Sequence, residues 1–368
     1  MNISDKNLKN EERASFALRS LYAGYGYSQF KMSKFEEYDL YVRNKDFLIS
    51  DGVITFTDTN GRLLALKPDV TLSIIKNCKE ETGVVQKMYY NENVYRVSGS
   101  TKSFREIMQV GLECIGDIDA YCISEVLTLA AKSLITISDE WVLDISHIGI
   151  LLDAIDALGL SDEEKRALIK CVGEKNLHEA ALICGDREEA SLLLSLISTY
   201  GNASDVTKKL YSLGVREEYI RELEDICNAL DVCGLSENLR IDFSVVDDIK
   251  YYNGIVFKGY VHGVPQSILS GGRYDNLMRR MGKRAGAIGF AVYLDALEAL
   301  SENNERYDVD TLIIYDENET PLNINRAATR IRDTGASVIA QRKIPEKLRY
   351  KRLLKLSCGE VTVLEENA

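Results

Sequence analysis

The stretch that most limits how this chain can fold is YRVSGSTKSFREIMQVGLECIG, residues 95–116. Two arms with strand character, VVQKMYYNENVYRV and FREIMQVGLECIG, flank Ser98-Gly99-Ser100-Thr101-Lys102-Ser103, a cluster that favours a turn. In the second arm Met108, Val110 and Leu112 alternate with Gln109, Gly111 and Glu113. That period of two is a strand with one apolar and one polar face. A hairpin brings Arg96, at the end of the first arm, beside the polar face. A cation, an amide and a carboxylate on one side of a sheet suit a zwitterionic amino acid. The same spacing fits an amphipathic hairpin whose polar face is solvated, and spacing alone leaves both readings open.

The rest of the chain mixes helix and strand patterns. Residues 10–23 read as a helix ending near Gly24 and Gly26, and YGYSQFKMSKFEEYDLYV as a strand turning into a short aromatic helix. KDFLISDGVITFTDTNGRLLALKPDVTLSIIKNC reads as a hairpin turning at Thr59-Asn60-Gly61, then a helix with Pro68 in its first turn. Residues 160–235 contain no Pro and keep a helical period, as a helical insertion would. Past Asn238 strand patterns resume, and AIGFAVYLDALEAL reads as a final helix. From about residue 304, DTLIIY, PLNINRAATRIRDTG and SVIAQR suggest a short strand-helix-strand unit. KIPEKLRYKRLLK, the most basic stretch, reads as a solvated helix face. This order predicts an α+β fold, an antiparallel sheet flanked by helices. Its domains are 1–303, with the insertion at about 160–235, and 304–368.

Bulk properties narrow the function. The 368 residues are 45% hydrophobic and 28% charged, as in soluble globular proteins. No apolar run stands out as a membrane span, and MNISDKNLKNEERAS lacks the apolar stretch of a signal peptide. Eight scattered cysteines without a CxxC pair predict reduced thiols in a cytoplasmic protein. His147, His178 and His262 are too dispersed for a zinc site, and no cofactor or metal is expected. A net charge of −12 without a basic run before the C-terminus argues against a large tRNA footprint.

Residues 95–116 also resemble the second signature motif of class II aminoacyl-tRNA synthetases in its histidyl form, with Arg96, Arg105, Gln109 and Glu113 at the motif positions. Three further segments match in order over roughly residues 10–300. YGYSQFKMSKFEEYDLY resembles the first motif, which builds the dimer interface, with Ser33 near the place of its usual proline. ALKPDVT resembles the substrate loop, and SGGRYDNLMRRMG with AIGFAVYLDAL resembles the third motif and its approach. The resemblance implies a class II synthetase-like fold and a histidine pocket. Asp69, Thr71 and Gln109 would hold the α-amino group, Arg96 the carboxylate, and Glu113 and Tyr251 the imidazole, with Tyr252 beside them.

Three positions depart from the synthetase pattern. Asp247 stands where a catalytic arginine bridges the carboxylate and the ATP phosphate, Ala296 where an arginine clamps the γ-phosphate, and Ser98 where an acid orients ATP. Losing one charge-assisted hydrogen bond costs ~1.5–3 kcal/mol, and an anion beside a triphosphate adds repulsion. The tail, residues 304–368, is also short for an anticodon-binding domain. Together these features resemble the regulatory subunits of ATP phosphoribosyltransferase. That family implies a non-catalytic chain without tRNA or membrane partners. It would serve a short-form catalytic subunit in the first step of histidine biosynthesis and mediate feedback by histidine. The hetero-oligomer would be octameric, built on a homodimer of the synthetase-like core. An active histidyl-tRNA synthetase or amino-acid-activating paralogue, and a scaffold with a dead pocket, are the alternatives.

Overall fold

The computed structural model describes residues 8–44, 48, 52–97, 103–246, 251–300 and 307–367. Among these the strands are β1 (Ser28–Gln29), β2 (Phe35–Glu37), β3 (Thr55–Thr57), β4 (Leu63–Leu66), β5 (Val85–Val97), β6 (Phe104–Gly116), β7 (Trp141–His147), β8 (Tyr200–Gly201), β9 (Leu239–Asp242), β10 (Ile255–Val261), β11 (Leu269–Arg273), β12 (Gly286–Tyr293), β13 (Val309–Tyr315), β14 (Val338–Gln341), β15 (Tyr350–Ser357) and β16 (Glu360–Glu366). The α-helices are α1 (Asn10–Gly24), α2 (Tyr38–Arg43), α3 (Thr71–Asn77), α4 (Ala120–Ile137), α5 (Ile148–Ala157), α6 (Asp162–Gly173), α7 (Leu177–Cys184), α8 (Ala190–Ile197), α9 (Ala203–Ser212), α10 (Glu217–Val232), α11 (Asp275–Arg280) and α12 (Pro321–Arg332). The chain divides into two compact units, Met1–Leu300 and Ser301–Ala368.

The first unit is built on a nine-stranded sheet in the order β1-β5-β6-β12-β11-β10-β7-β9-β8. All its pairs are antiparallel except β1 with β5 and β7 with β9. The architecture is α+β and follows the expected class. The hairpin of β5 and β6, next to the edge strand β1, runs in register from Val97 opposite Phe104 to Val85 opposite Gly116. Strand alternation then sorts the side chains. Val110, Leu112 and Cys114 face one apolar core, which also holds Leu18 of α1 and Leu127 of α4. Ile115 joins a second core on the opposite face with Tyr41, Leu72, Ile74, Tyr251 and Tyr274. That second layer covers the face carrying Gln109 and Glu113, which are only 3% and 2% exposed. The polar face of the hairpin is therefore buried, and the solvated alternative is excluded.

Several local expectations change. AIGFAVY is a strand, β12, wedged between β6 and β11, and only Leu294–Leu300 turns as a 3-10 helix. A strand covered on both faces is apolar on both, so it lacks the alternation that distinguishes it from a helix. Pro68 precedes α3 rather than entering its first turn, and its carbonyl accepts from Arg96 Nε at 2.9 Å. The insertion comprises α6 to α10 but is not a separate body. Leu168, Leu193, Leu210 and Leu223 belong to the same core as α4, and β8 adds an edge strand to the sheet.

One helix, α4, is long and apolar enough to cross a membrane, with 18 residues at mean hydropathy 1.4, contrary to the sequence reading. It lies in the core instead, with Val126, Leu127, Leu129, Ala130 and Leu134 fully buried. All eight cysteines are free, and six are buried.

The second unit is a four-stranded sheet, β14-β13-β15-β16, in which β13 lies parallel to both β14 and β15. Helix α12 packs Ala327 and Ala328 on Ile313, Leu354 and Leu356. Within the basic stretch, YKRLLKLS is the strand β15 rather than a helix, and it pairs back onto β16.

Candidate functional site

Two elements aim polar side chains at one another across the buried face of the hairpin. Helix α3 begins at Thr71, and Asp69 just ahead of it accepts Leu72 N at 2.8 Å, which fastens the loop to the helix. Opposite, β6 presents Gln109, Gly111 and Glu113 on one side. Their cross-strand partners are Glu92, Tyr90 and Met88 on β5, and Tyr293, Ala291 and Gly289 on β12. The cavity between is lined by all seven residues expected from the sequence: Asp69, Thr71, Arg96, Gln109, Glu113, Tyr251 and Tyr252.

Small residues make the space. A Cβ at Gly289 would collide with the Glu113 carboxylate and the Leu112 carbonyl. At Gly111 it would strike the Tyr90 hydroxyl and the Phe290 carbonyl. Tyr90, Tyr274, Tyr293 and Ser270 also line the cavity and were not singled out from the sequence. Tyr274 stands in the quoted SGGRYD segment, so its signal was available. Tyr90 becomes a lining residue only through its register opposite Gly111, which needs the sheet. Arg105 is exposed and lies across the hairpin from Arg96, outside the cavity.

Glu113 is the electrostatic centre. Thr71 Oγ1 donates to its Oε1 at 2.7 Å, and the Tyr274 hydroxyl donates to its Oε2. Burial pushes its pKa up to about 8, against the lowering effect of those two hydrogen bonds, with the Asp69 charge adding to the rise. Burial also raises Asp69, which is partly offset by the Leu72 amide and the Arg96 charge. Tyr251 and Tyr274 are pushed well above the usual phenol range, again by burial first, so both keep their protons. Their rings pack at 5.6 Å, and Tyr252 meets Tyr251 edge-on at 4.8 Å.

The charges sort by position. Two carboxyl groups, one guanidinium and several neutral donors and acceptors face one space. An amino acid with a basic side chain complements them: ammonium at Asp69, carboxylate at Arg96, base at Glu113. Arg96 is the only Lys or Arg lining the cavity among the described residues. Ala296 is buried in the apolar core beside Leu294 and Leu297 and offers no charge to a phosphate. Ser98 and Asp247 lie outside the described residues.

A nine-stranded, largely antiparallel sheet with carboxyl, amide, guanidinium and tyrosine groups converging on one cavity fits a class II synthetase-like protein, and the comparisons agree. The family model described as histidyl-tRNA synthetase matches residues 2–297. Solved structures with the same fold include the ATP phosphoribosyltransferase regulatory subunit/histidyl-tRNA synthetase from Bacillus halodurans C. It has a TM-score of 0.73 and 22% identity, over 96% of this chain and 99% of that one. Another is the ATP phosphoribosyl transferase (HisG:HisZ) complex from Thermotoga maritima, with a TM-score of 0.61 and 18% identity, over 77% of this chain and 97% of that one. The ATP phosphoribosyltransferase regulatory subunit of Clostridium kluyveri is 31% identical over 328 residues, 83% of each chain. That of Ruminiclostridium cellulolyticum is 27% identical, over 81% of this chain and 75% of that protein. This chain belongs to the family of histidyl-tRNA synthetase-like ATP phosphoribosyltransferase regulatory subunits.

Proposed function

We propose that the chain is the non-catalytic regulatory subunit of an ATP phosphoribosyltransferase and that the cavity at Glu113 is its histidine receptor. It would act with a short-form catalytic subunit in the first step of histidine biosynthesis, within a cytoplasmic hetero-oligomer built on its homodimer. The observation that carries the reading is the asymmetry of the site. The groups suited to a cationic amino acid are complete, with Asp69, Thr71, Gln109, Glu113 and Tyr251 buried and Arg96 half-buried, while Arg96 is the only lining cation among the described residues. A triphosphate needs several such cations. The relatives' shared name supplies the enzyme to be regulated. Histidine would act by binding one state of the assembly better than the other.

Isothermal titration of histidine into the chain, alone and with the catalytic subunit, tests the receptor. Saturable binding that is lost with lysine as titrant supports it, and no heat in either setting removes it. Histidine-dependent pyrophosphate exchange by the purified chain would instead favour a synthetase.

A further inference from the structure

A second cavity of about 590 Å³ opens between the start of α4 and one stripe of α10, within the range of ligand clefts. Its floor is apolar, with Ile118, Ile123 and Ile226. Its walls carry four carboxylates: Asp119 from the turn before α4, and Glu218, Glu222 and Asp225 from α10. Spacings of four and three place the last three along one side of the helix. The two guanidinium groups in the walls are each engaged by a neighbour, Arg221 by Glu217 and Arg273 by Asp275. Glu218 pairs with Arg216 and Glu222 with His147. Asp225 is exposed and has no ion pair or side-chain hydrogen bond among the described residues. The field in the groove is negative over an apolar floor.

Resting on the proposed function, we propose that this groove docks a basic, apolar-anchored segment of the catalytic partner subunit. Charge complementarity chooses the occupant: a segment with Lys or Arg flanking one or two aliphatic residues meets carboxylates on both walls and the isoleucines beneath. The position also gives docking a route to the other cavity. Arg273 lines the groove, and the next residue, Tyr274, donates to Glu113. Asp275 ties that turn to Arg273 and to the Ala287 amide. A segment that repositions Arg273 thus acts on the strut holding Tyr274, and histidine and the docked segment would affect each other's affinity equally.

The test is association of the full chain with its catalytic subunit, followed by analytical ultracentrifugation and by stopped-flow at several salt concentrations. The double variant Glu218→Lys/Asp225→Lys is expected to slow association about tenfold. Glu188→Lys, at an exposed position just before α8 that does not line the groove, is expected to leave it unchanged, and both variants should still bind histidine by titration. Wild-type association should weaken as salt rises. Unaltered association by the double variant, or wild-type association insensitive to salt, overturns the docking site while leaving the regulatory reading intact. Failure of the wild-type chain to associate at all overturns both. Spermidine that binds the wild-type groove without competing with the partner assigns the groove to a small cation and also overturns the proposal.

Discussion

One face of the large sheet carries two buried polar sets, and they are built on opposite rules. Toward β10, β7 and β9, Asp144 stands opposite both Lys258 and Arg240, and Asp242 accepts Lys175 Nζ at 2.7 Å. Burial pushes Asp144 up to about 6, the Asp242 charge adds to the rise, and Lys175, Arg240 and Lys258 pull it back. Asp242 there is paired with a cation of the chain itself, and Asp144 lies in the field of three. At β6 and α3 the partners of Glu113 are the hydroxyls of Thr71 and Tyr274, and the nearest charge that shifts it is another acid, Asp69. A buried acid balanced by its own protein is an element of structure. One answered only by neutral donors is left for a ligand to complete.

The comparison breaks most directly at Glu113. Glu113→Gln keeps the shape but removes the ionisable carboxyl, which can then no longer pass its proton to the imidazole and pair with the cation formed, and histidine affinity should fall about a hundredfold or more by titration calorimetry. A loss below threefold would move the receptor elsewhere. Tyr274→Phe removes one donor to Glu113 and should weaken histidine binding about fivefold, the net worth of about 1 kcal/mol for a hydrogen bond. In the other set, Lys175→Met should leave histidine affinity unchanged and lower unfolding stability by about 1 kcal/mol. The partial exposure of Lys175 moderates the cost of stranding Asp242. A change in histidine affinity with Lys175→Met would merge the two sets.

A further test is in pH. A carboxyl whose folded pKa is raised from 4.5 to about 8 holds its proton more tightly when folded. Its stabilising contribution is complete below pH 4.5 and lost as pH rises through 8. Glu113→Gln, which mimics the protonated form, should therefore gain steadily in melting temperature relative to wild type as pH rises from 5 to 8. A difference that stays flat across that range would mean Glu113 ionises normally.

Much of this site was legible in the residue order, because alternation in β6 fixes which side chains share a face whatever covers them. All seven expected residues line the cavity, but alternation pointed only to Arg96, Gln109 and Glu113, whereas Asp69, Thr71, Tyr251 and Tyr252 were expected through the resemblance to the histidyl synthetase pattern. The burial of that face was not legible, since the aromatic cover from Tyr251, Tyr252 and Tyr274 arrives from far along the chain. Two strands were misread for different reasons. β12 is apolar on both faces, so it carries no period of two to recognise. In β15 adjacent Leu353 and Leu354, flanked by lysines and arginines, imitate a helical stripe. Pairing with β13 and β16 overrides that local preference.

If the cavity is the histidine receptor proposed above, its floor at Gly289 has an evolutionary consequence. A methyl group there would fill the space beside Glu113, which looks like the simplest way to produce a subunit blind to its effector. It would also strike the Leu112 carbonyl of the neighbouring strand, so the substitution disturbs the central sheet along with the receptor. A lineage escaping feedback is therefore steered away from the floor. On the proposed reading, an altered response to histidine would run instead through wall side chains such as Thr71 and Gln109, which leave the close backbone approach of β6 and β12 as it is.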